Sequence, residues 1–139
     1  MGSPELIIHG GGDLHGTRYT VPTDRIVAGT YLFGCIGCGG SVLLNQAPWS
    51  QMEAVTVAAE RMGAQCTVSE EGLFVQAPVR PKSIGHLQTG PYPEFPTDLQ
   101  SAAMAVLTMA EGISYIEENI FENRFRIAEP LDLMGAQIV

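Results

Sequence analysis

A chain of 139 residues, 45% hydrophobic and 16% charged, has the composition of one packed domain and not that of a disordered segment. A formal net charge of −8, with no cluster of Lys and Arg to relieve it, argues against nucleic-acid and anionic-membrane partners. No apolar run approaches the roughly 20 residues of a membrane span, the first residues lack the make-up of a secretory signal, and three cysteines (Cys35, Cys38, Cys66) cannot all pair, so a cytoplasmic protein without a disulfide framework is expected.

In chain order, Met1-Gly2-Ser3 reads as an expression scar and is set aside. Gly10-Gly11-Gly12 lacks the Gly-Lys-Ser/Thr of a phosphate-binding loop and the strand-to-helix setting of a dinucleotide fingerprint, and reads as a turn. Residues 18–21 suit a strand. Thr23 is the expected N-cap, its hydroxyl taking a free backbone N–H, with Asp24 next in the first turn of a helix over 24–38. A strand over 41–45 follows, then a helix over 51–62 with Met52, Val55, Ala59 and Met62 on one face. Gly63 suits the left-handed position that stops it. Residues 66–69 and 73–77 form a hairpin around Glu70-Glu71-Gly72. The pattern then restarts with a strand at 86–89, Thr97 as N-cap, a helix over 98–111 and a strand over 113–117.

The restart is written in the letters. Met62-Gly63-Ala64-Gln65 returns at Met134-Gly135-Ala136-Gln137, 72 residues on (62 to 134), and Pro22-Thr23-Asp24 returns at Pro96-Thr97-Asp98, 74 residues on (22 to 96). The expected unit is βαβαββ, once over 18–89 and again over 86–139, the second cut short inside its hairpin. Both lie in one partial domain, 1–139, of the α/β (α+β) class. The first helix of each unit is apolar nearly all round, from Ile26 to Ile36 and from Ala102 to Met109, so these two belong inside, with sheets and the more amphipathic second helices around them.

Chemistry has few places to reside. Pro91-Tyr92-Pro93-Glu94-Phe95-Pro96-Thr97-Asp98 brings a carboxylate to a helix start from a loop stiffened by three prolines, a rigid mount for a reactive group. The plainer reading of Asp98, shared by Asp24, is charge balance at the helix dipole. Phe121-Glu122-Asn123-Arg124-Phe125 sets a planar cation and an amide between aromatics, an edge for an anionic substrate; its plainer reading is a short helix with two core anchors and a surface ion pair. Arg80-Pro81-Lys82 reads as a solvated turn. Cys35 and Cys38 lack the further ligands a structural metal needs and read as buried small side chains. Nothing marks His9, His15 or His86 as a base. No metal and no cofactor is expected.

Taken together, Thr23-Asp24-Arg25-Ile26 with Ala28-Gly29-Thr30-Tyr31, then Arg80-Pro81-Lys82, Pro91-Tyr92-Pro93, Phe95-Pro96-Thr97-Asp98, Ala110-Glu111-Gly112 and Ile120-Phe121-Glu122-Asn123-Arg124-Phe125 resemble the UDP-N-acetylglucosamine 1-carboxyvinyltransferases, a branch of the enolpyruvyl transferases. The resemblance runs from about Leu6 to Val139. It implies an inside-out α/β barrel type of domain, three βαβαββ units around central helices. It also implies an enzyme that moves the enolpyruvyl group of phosphoenolpyruvate to the 3-hydroxyl of UDP-N-acetylglucosamine, the first committed step of peptidoglycan synthesis. On the matching positions, Asp98 accepts the hydroxyl proton, the backbone of Ile120 meets the amino sugar and Arg124 lines the cleft. The family's catalytic-cysteine loop, its N-terminal Lys-Asn pair and several phosphoenolpyruvate-clamping arginines fall outside this chain. The 139 residues are therefore expected to be two of three units, inactive alone and prone to self-association along an uncovered flank. A non-catalytic small-molecule-binding or structural domain of the same fold is the alternative.

Overall fold

The structure is a computed structural model that describes residues 5–139; the Met1-Gly2-Ser3 stretch lies outside them. From Arg25 onward the chain forms helix α1 (Arg25–Cys38), strand β1 (Ser41–Asn45), helix α2 (Glu53–Arg61), strands β2 (Gln65–Ser69), β3 (Gly72–Gln76) and β4 (Gly85–Gln88), helix α3 (Gln100–Leu107), strand β5 (Ser114–Glu117) and helix α4 (Ala128–Leu133). Short 3-10 turns at Trp49–Gln51, Thr97–Leu99 and Arg124–Ile127 precede α2, α3 and α4.

The N-cap of α1 is Asp24 and not Thr23. Asp24 Oδ1 accepts the N–H groups of Ile26 and Val27 at 2.7 and 3.4 Å, while the Thr23 hydroxyl donates to the Gln46 carbonyl at 2.8 Å and ties the helix start to the end of β1. A charged acceptor binds a free N–H more strongly than a hydroxyl does, and that leaves Thr23 for a longer-range task. Leu32, Phe33 and Ile36 of α1 are fully buried, as are Leu73 and Val75 of β3 and Leu99 and Ala103 from the α3 region. Gly29 lets α1 approach the Leu99 side chain so closely that a Cβ would overlap it.

In α2 the face Met52, Val55, Ala59 and Met62 is buried as its spacing predicts. Gly63 follows at φ +96°, and its repeat-mate Gly135, after α4, adopts φ +99°. The hairpin β2–β3 joins β1 in an antiparallel sheet ordered β1-β3-β2, with Leu44 opposite Leu73 and Cys66 opposite Val75. The second sheet is the parallel pair β4–β5, with Leu87 opposite Ile116. Parallel neighbours need a crossover, here the proline loop and α3. Apolar helices α1 and α3 pack on one another with sheet strands against them, which agrees with the expected fold class.

Several expectations need correction. Residues 18–21 are irregular and exposed, not a strand; Tyr19 and Val21 bury little apolar surface there, so little offsets the entropy of ordering them. The helix expected over 98–111 is shorter, because Met109 and Ala110 donate to the carbonyls three residues back and the last turn tightens. Burial of α1 is one-sided: Val27 and Tyr31 are 53% and 65% exposed. Of the two cysteines expected to be buried, Cys38 is exposed and Cys35 half-buried; Cys35 and Cys66 pack against the core from its margin. Phe121 and Phe125 are exposed and anchor no core.

Candidate functional site

Because β4 and β5 run parallel, their carboxyl ends meet at one edge, and the segments leaving them lie side by side. Ligand sites of parallel sheets belong at that edge, where chains diverge and leave backbone groups free. Here the two segments are stitched together. Thr89 donates its N–H to the Glu117 carbonyl at 2.9 Å, and its hydroxyl oxygen accepts the Asn119 N–H at 3.0 Å.

From β4 the chain passes through the proline loop, which includes a cis Tyr92–Pro93 bond and closes on itself through Gly90 N–H to the Phe95 carbonyl at 3.0 Å. Phe95 is buried, its ring 6.1 Å from that of Phe33. On the outer side, the Arg25 guanidinium sits 4.6 Å over the Tyr92 ring. Thus both faces of the loop are held before it reaches the Thr97–Leu99 turn that carries Asp98. Thr97 is not the N-cap of this helix. Its side chain is drawn instead to Glu118, donating to Oε2 at 2.8 Å, and the helix start has no side-chain cap.

Asp98 and Arg124 pair at this edge, and Glu118 links the Ile120 N–H to Thr97, the residue before Asp98. Arg124 donates to Asp98 Oδ1 and to the Thr97 carbonyl, both at 3.2 Å, and its guanidinium lies 5.6 Å from the centre of the Phe121 ring. The ion pair is open to water, with side chains 59% (Asp98) and 33% (Arg124) exposed, so as a fold-stabilising contact it is worth at most about 1 kcal/mol. Arg124 occupies one oxygen of Asp98. Two buried donors, Arg124 Nε and Gln100 Nε2, have no partner, an arrangement that ordinarily costs stability.

Glu118 is the residue that motif reading misses. Its neighbour Glu117 turns outward, 3.1 Å from His86 and half-exposed, so the pair looks like a solvated strand end in sequence. Strand alternation turns Glu118 the other way. Its Oε1 accepts the N–H groups of Ile120 and Phe121 at 2.9 and 3.2 Å. Burial pushes its carboxyl up, but hydrogen bonds from the Ile120 N–H, the Thr97 hydroxyl, the Phe121 N–H and the Thr89 hydroxyl outweigh this and hold it below its ordinary value.

The equivalent Asp24 is committed to capping α1. Two surface grooves, about 300 and 420 Å³, lie beside α2 and β2 and between α1 and β1; neither includes Asp98, Ile120 or Arg124. The site is an open wall. Among the described residues no three His, Cys, Asp or Glu side chains gather as metal ligands would, and no helix is long and apolar enough to cross a membrane.

The family model for EPSP synthase (3-phosphoshikimate 1-carboxyvinyltransferase) matches residues 1–139. The chain is 42% identical over 138 residues to the UDP-N-acetylglucosamine 1-carboxyvinyltransferase of Zymomonas mobilis, covering 99% of this chain and 32% of that protein. To the protein of the same name in Bartonella tribocorum it is 40% identical over 139 residues, with 99% and 32% covered. The chain thus spans about a third of the length of the curated relatives it matches. Its fold is similar to that of the enolpyruvyl transferase NikO from Streptomyces tendae, with a TM-score of 0.68, 19% identity, and 84% of this chain and 28% of that one covered.

Proposed function

Because the chain belongs to the EPSP synthase family of carboxyvinyltransferases, we propose that it forms one wall of the active site of a cytoplasmic enolpyruvyl transferase. That enzyme joins phosphoenolpyruvate to UDP-N-acetylglucosamine at the entry to peptidoglycan synthesis. The supporting observation lies beyond the carboxyl ends of β4 and β5, where Arg124 pairs with Asp98, the latter carried by a loop held at both faces, and Glu118 links the Ile120 N–H to Thr97.

A sugar hydroxyl is a poor nucleophile until its proton leaves. Asp98 takes that proton as the 3-oxygen bonds to C2 of phosphoenolpyruvate, whose C3 gains a proton to give a tetrahedral adduct. Loss of phosphate from C2 and of a proton from C3 then restores the double bond. A positioned general base contributes about 10² to 10⁴ in rate. Arg124 fixes the carboxylate's direction through Oδ1 and supplies positive charge beside trianionic phosphoenolpyruvate in a chain whose net charge otherwise repels it. Ile120 meets the amino sugar through its backbone. No metal or cofactor takes part, and the substrates are the two small molecules alone.

The test is Asp98→Asn in the complete protein. Turnover falls about 10² to 10⁴-fold while affinity for UDP-N-acetylglucosamine changes little. Near-normal turnover would leave Asp98 as an ornament of the helix start and favour a non-catalytic binding domain.

A further inference from the structure

Three successive backbone N–H groups, those of Asn119, Ile120 and Phe121, leave the end of β5 at the wall of the site. Successive N–H groups of this kind commonly cradle an anion. Here none is free to do so: Asn119 donates to the Thr89 hydroxyl oxygen at 3.0 Å, and Ile120 and Phe121 donate to Glu118 Oε1 at 2.9 and 3.2 Å. The second Glu118 oxygen holds the Thr97 hydroxyl at 2.8 Å, and Thr97 is the residue directly before Asp98. One carboxylate therefore joins the turn that carries Ile120 to the turn that carries Asp98, across 21 residues of sequence.

We propose that Glu118 is a positioning residue that sets the distance between Ile120 and Asp98 and, by consuming the N–H groups of its turn, obliges Ile120 to meet its ligand through the carbonyl oxygen. The group read at Ile120 is then a hydrogen-bond donor on the sugar, and this turn does not hold a phosphate. The proposal rests on the assignment of the site to a sugar-nucleotide substrate, and deepens it. Exchange of Glu118 for solvent would release two N–H groups and free the Thr97 hydroxyl together. The turn would lose its register against Asp98 while the antiparallel sheet, which shares none of these bonds, stays as it was.

Two measurements test it. In the 139-residue chain, amide hydrogen exchange at Ile120 and Phe121 accelerates about tenfold or more in Glu118→Ala and by a smaller factor in Glu118→Gln, which keeps an acceptor but loses the charge; the amides of β1 to β3 are unmoved in both. In the complete protein, Glu118→Ala raises KM for UDP-N-acetylglucosamine about tenfold or more and leaves KM for phosphoenolpyruvate within about twofold, with Glu118→Gln between it and the parent. Unchanged exchange at Ile120 and Phe121 in both variants, or equal rises in the two KM values, overturns the proposal. If the alanine variant also loses protection in its sheet, the glutamine variant alone decides on the same two criteria. Normal turnover in Asp98→Asn alongside the expected exchange pattern overturns the catalytic reading and leaves the structural role of Glu118 standing.

Discussion

Asp24 and Asp98 each end a Pro-Thr-Asp string and are used in opposite ways. Asp24 turns its carboxylate back onto its own helix, accepting from Ile26 at 2.7 Å and Val27 at 3.4 Å, whereas Asp98 turns away from its helix and meets Arg124 at 3.2 Å. Stability and activity should therefore separate. Asp24→Ala costs about 1 kcal/mol and Asp24→Asn only a few tenths, the ordinary range for loss or exchange of an N-cap. Asp98→Ala costs about half of that or less, since an exposed ion pair is all it gives up. Turnover in the complete protein ranks the other way, with Asp24→Asn near normal. Denaturant melts and steady-state rates on the same preparations check both; equal losses at the two positions contradict the division of roles.

Arg124 spans Thr97 and Asp98 with one nitrogen and holds its guanidinium over the Phe121 ring. A lysine keeps the charge and loses the planar contact. Arg124→Lys is expected to shift stability by no more than about 1 kcal/mol, yet to lower kcat/KM about tenfold or more. A lysine variant with parental kcat/KM would reduce Arg124 to a point charge.

Gln100 is fully buried, and its amide nitrogen has no acceptor. An unpaired buried donor costs about 1 to 3 kcal/mol, so Gln100→Met, which keeps the volume and removes the donor, should leave stability unchanged or raise it by about 1 kcal/mol even though the Ser101 hydroxyl loses its partner. A thermal melt shifted downward by several degrees would mean that the amide is satisfied in solution.

Glu118 gives the acid limb of stability a definite sign. Its carboxyl titrates below the ordinary value in the folded chain, so its contribution is complete above the unfolded value near 4.5 and drains away as pH falls through the lower, folded value. Melts between about pH 7 and pH 3 should show a decline at the acid end that is shallower in Glu118→Gln. Parallel pH curves for variant and parent would contradict the hydrogen-bonded carboxylate.

Thiol chemistry separates the three cysteines. Burial pushes the Cys66 thiol up to about 11, with Glu60 and then Cys35 adding to the shift; burial raises Cys35 too, against a lowering backbone hydrogen bond from Ala77. The thiolate is the reactive form, so iodoacetamide near pH 7.5 should label exposed Cys38 first and Cys66 last. Peptide mapping that finds Cys66 labelled first would mean that the β2 edge opens readily.

Much of this arrangement was legible in the letters, and the parts that were not share a cause. The buried face of α2, the hairpin and the glycine stop at Gly63 rest on interactions between residues a few positions apart. The strings that hold Asp98, Ile120 and Arg124 are readable as motifs, and the structure pairs Asp98 with Arg124 while Ile120 donates to Glu118. What escaped was any choice settled by a distant partner. Thr23 and Thr97 stand in identical Pro-Thr-Asp strings, and each gave up the capping role because a group far along the chain, Gln46 in one case and Glu118 in the other, claimed its hydroxyl. Glu118 escaped for the same reason. Beside Glu117 it is only another acid, and the strand end alone decides which of the two turns inward.

Left to itself, the 139-residue chain is expected to release no phosphate from phosphoenolpyruvate and UDP-N-acetylglucosamine, and to self-associate through the apolar flank of α1. Val27 and Tyr31 stand exposed there beside the 420 Å³ groove on β1. Sedimentation at high concentration should show species above the monomer that Tyr31→Glu disperses. A monomer in both, or phosphate release above a blank, contradicts these expectations.

Strand β1 lies at the edge of its sheet, and residues 5–22, which precede α1, are exposed along their whole length. A protease would therefore meet that leading stretch before anything else, and a trimmed product beginning near Thr23 should resist further cutting. The unpaired side of β1 presents backbone N–H and C=O groups of the kind on which strands from other molecules stack into fibrils.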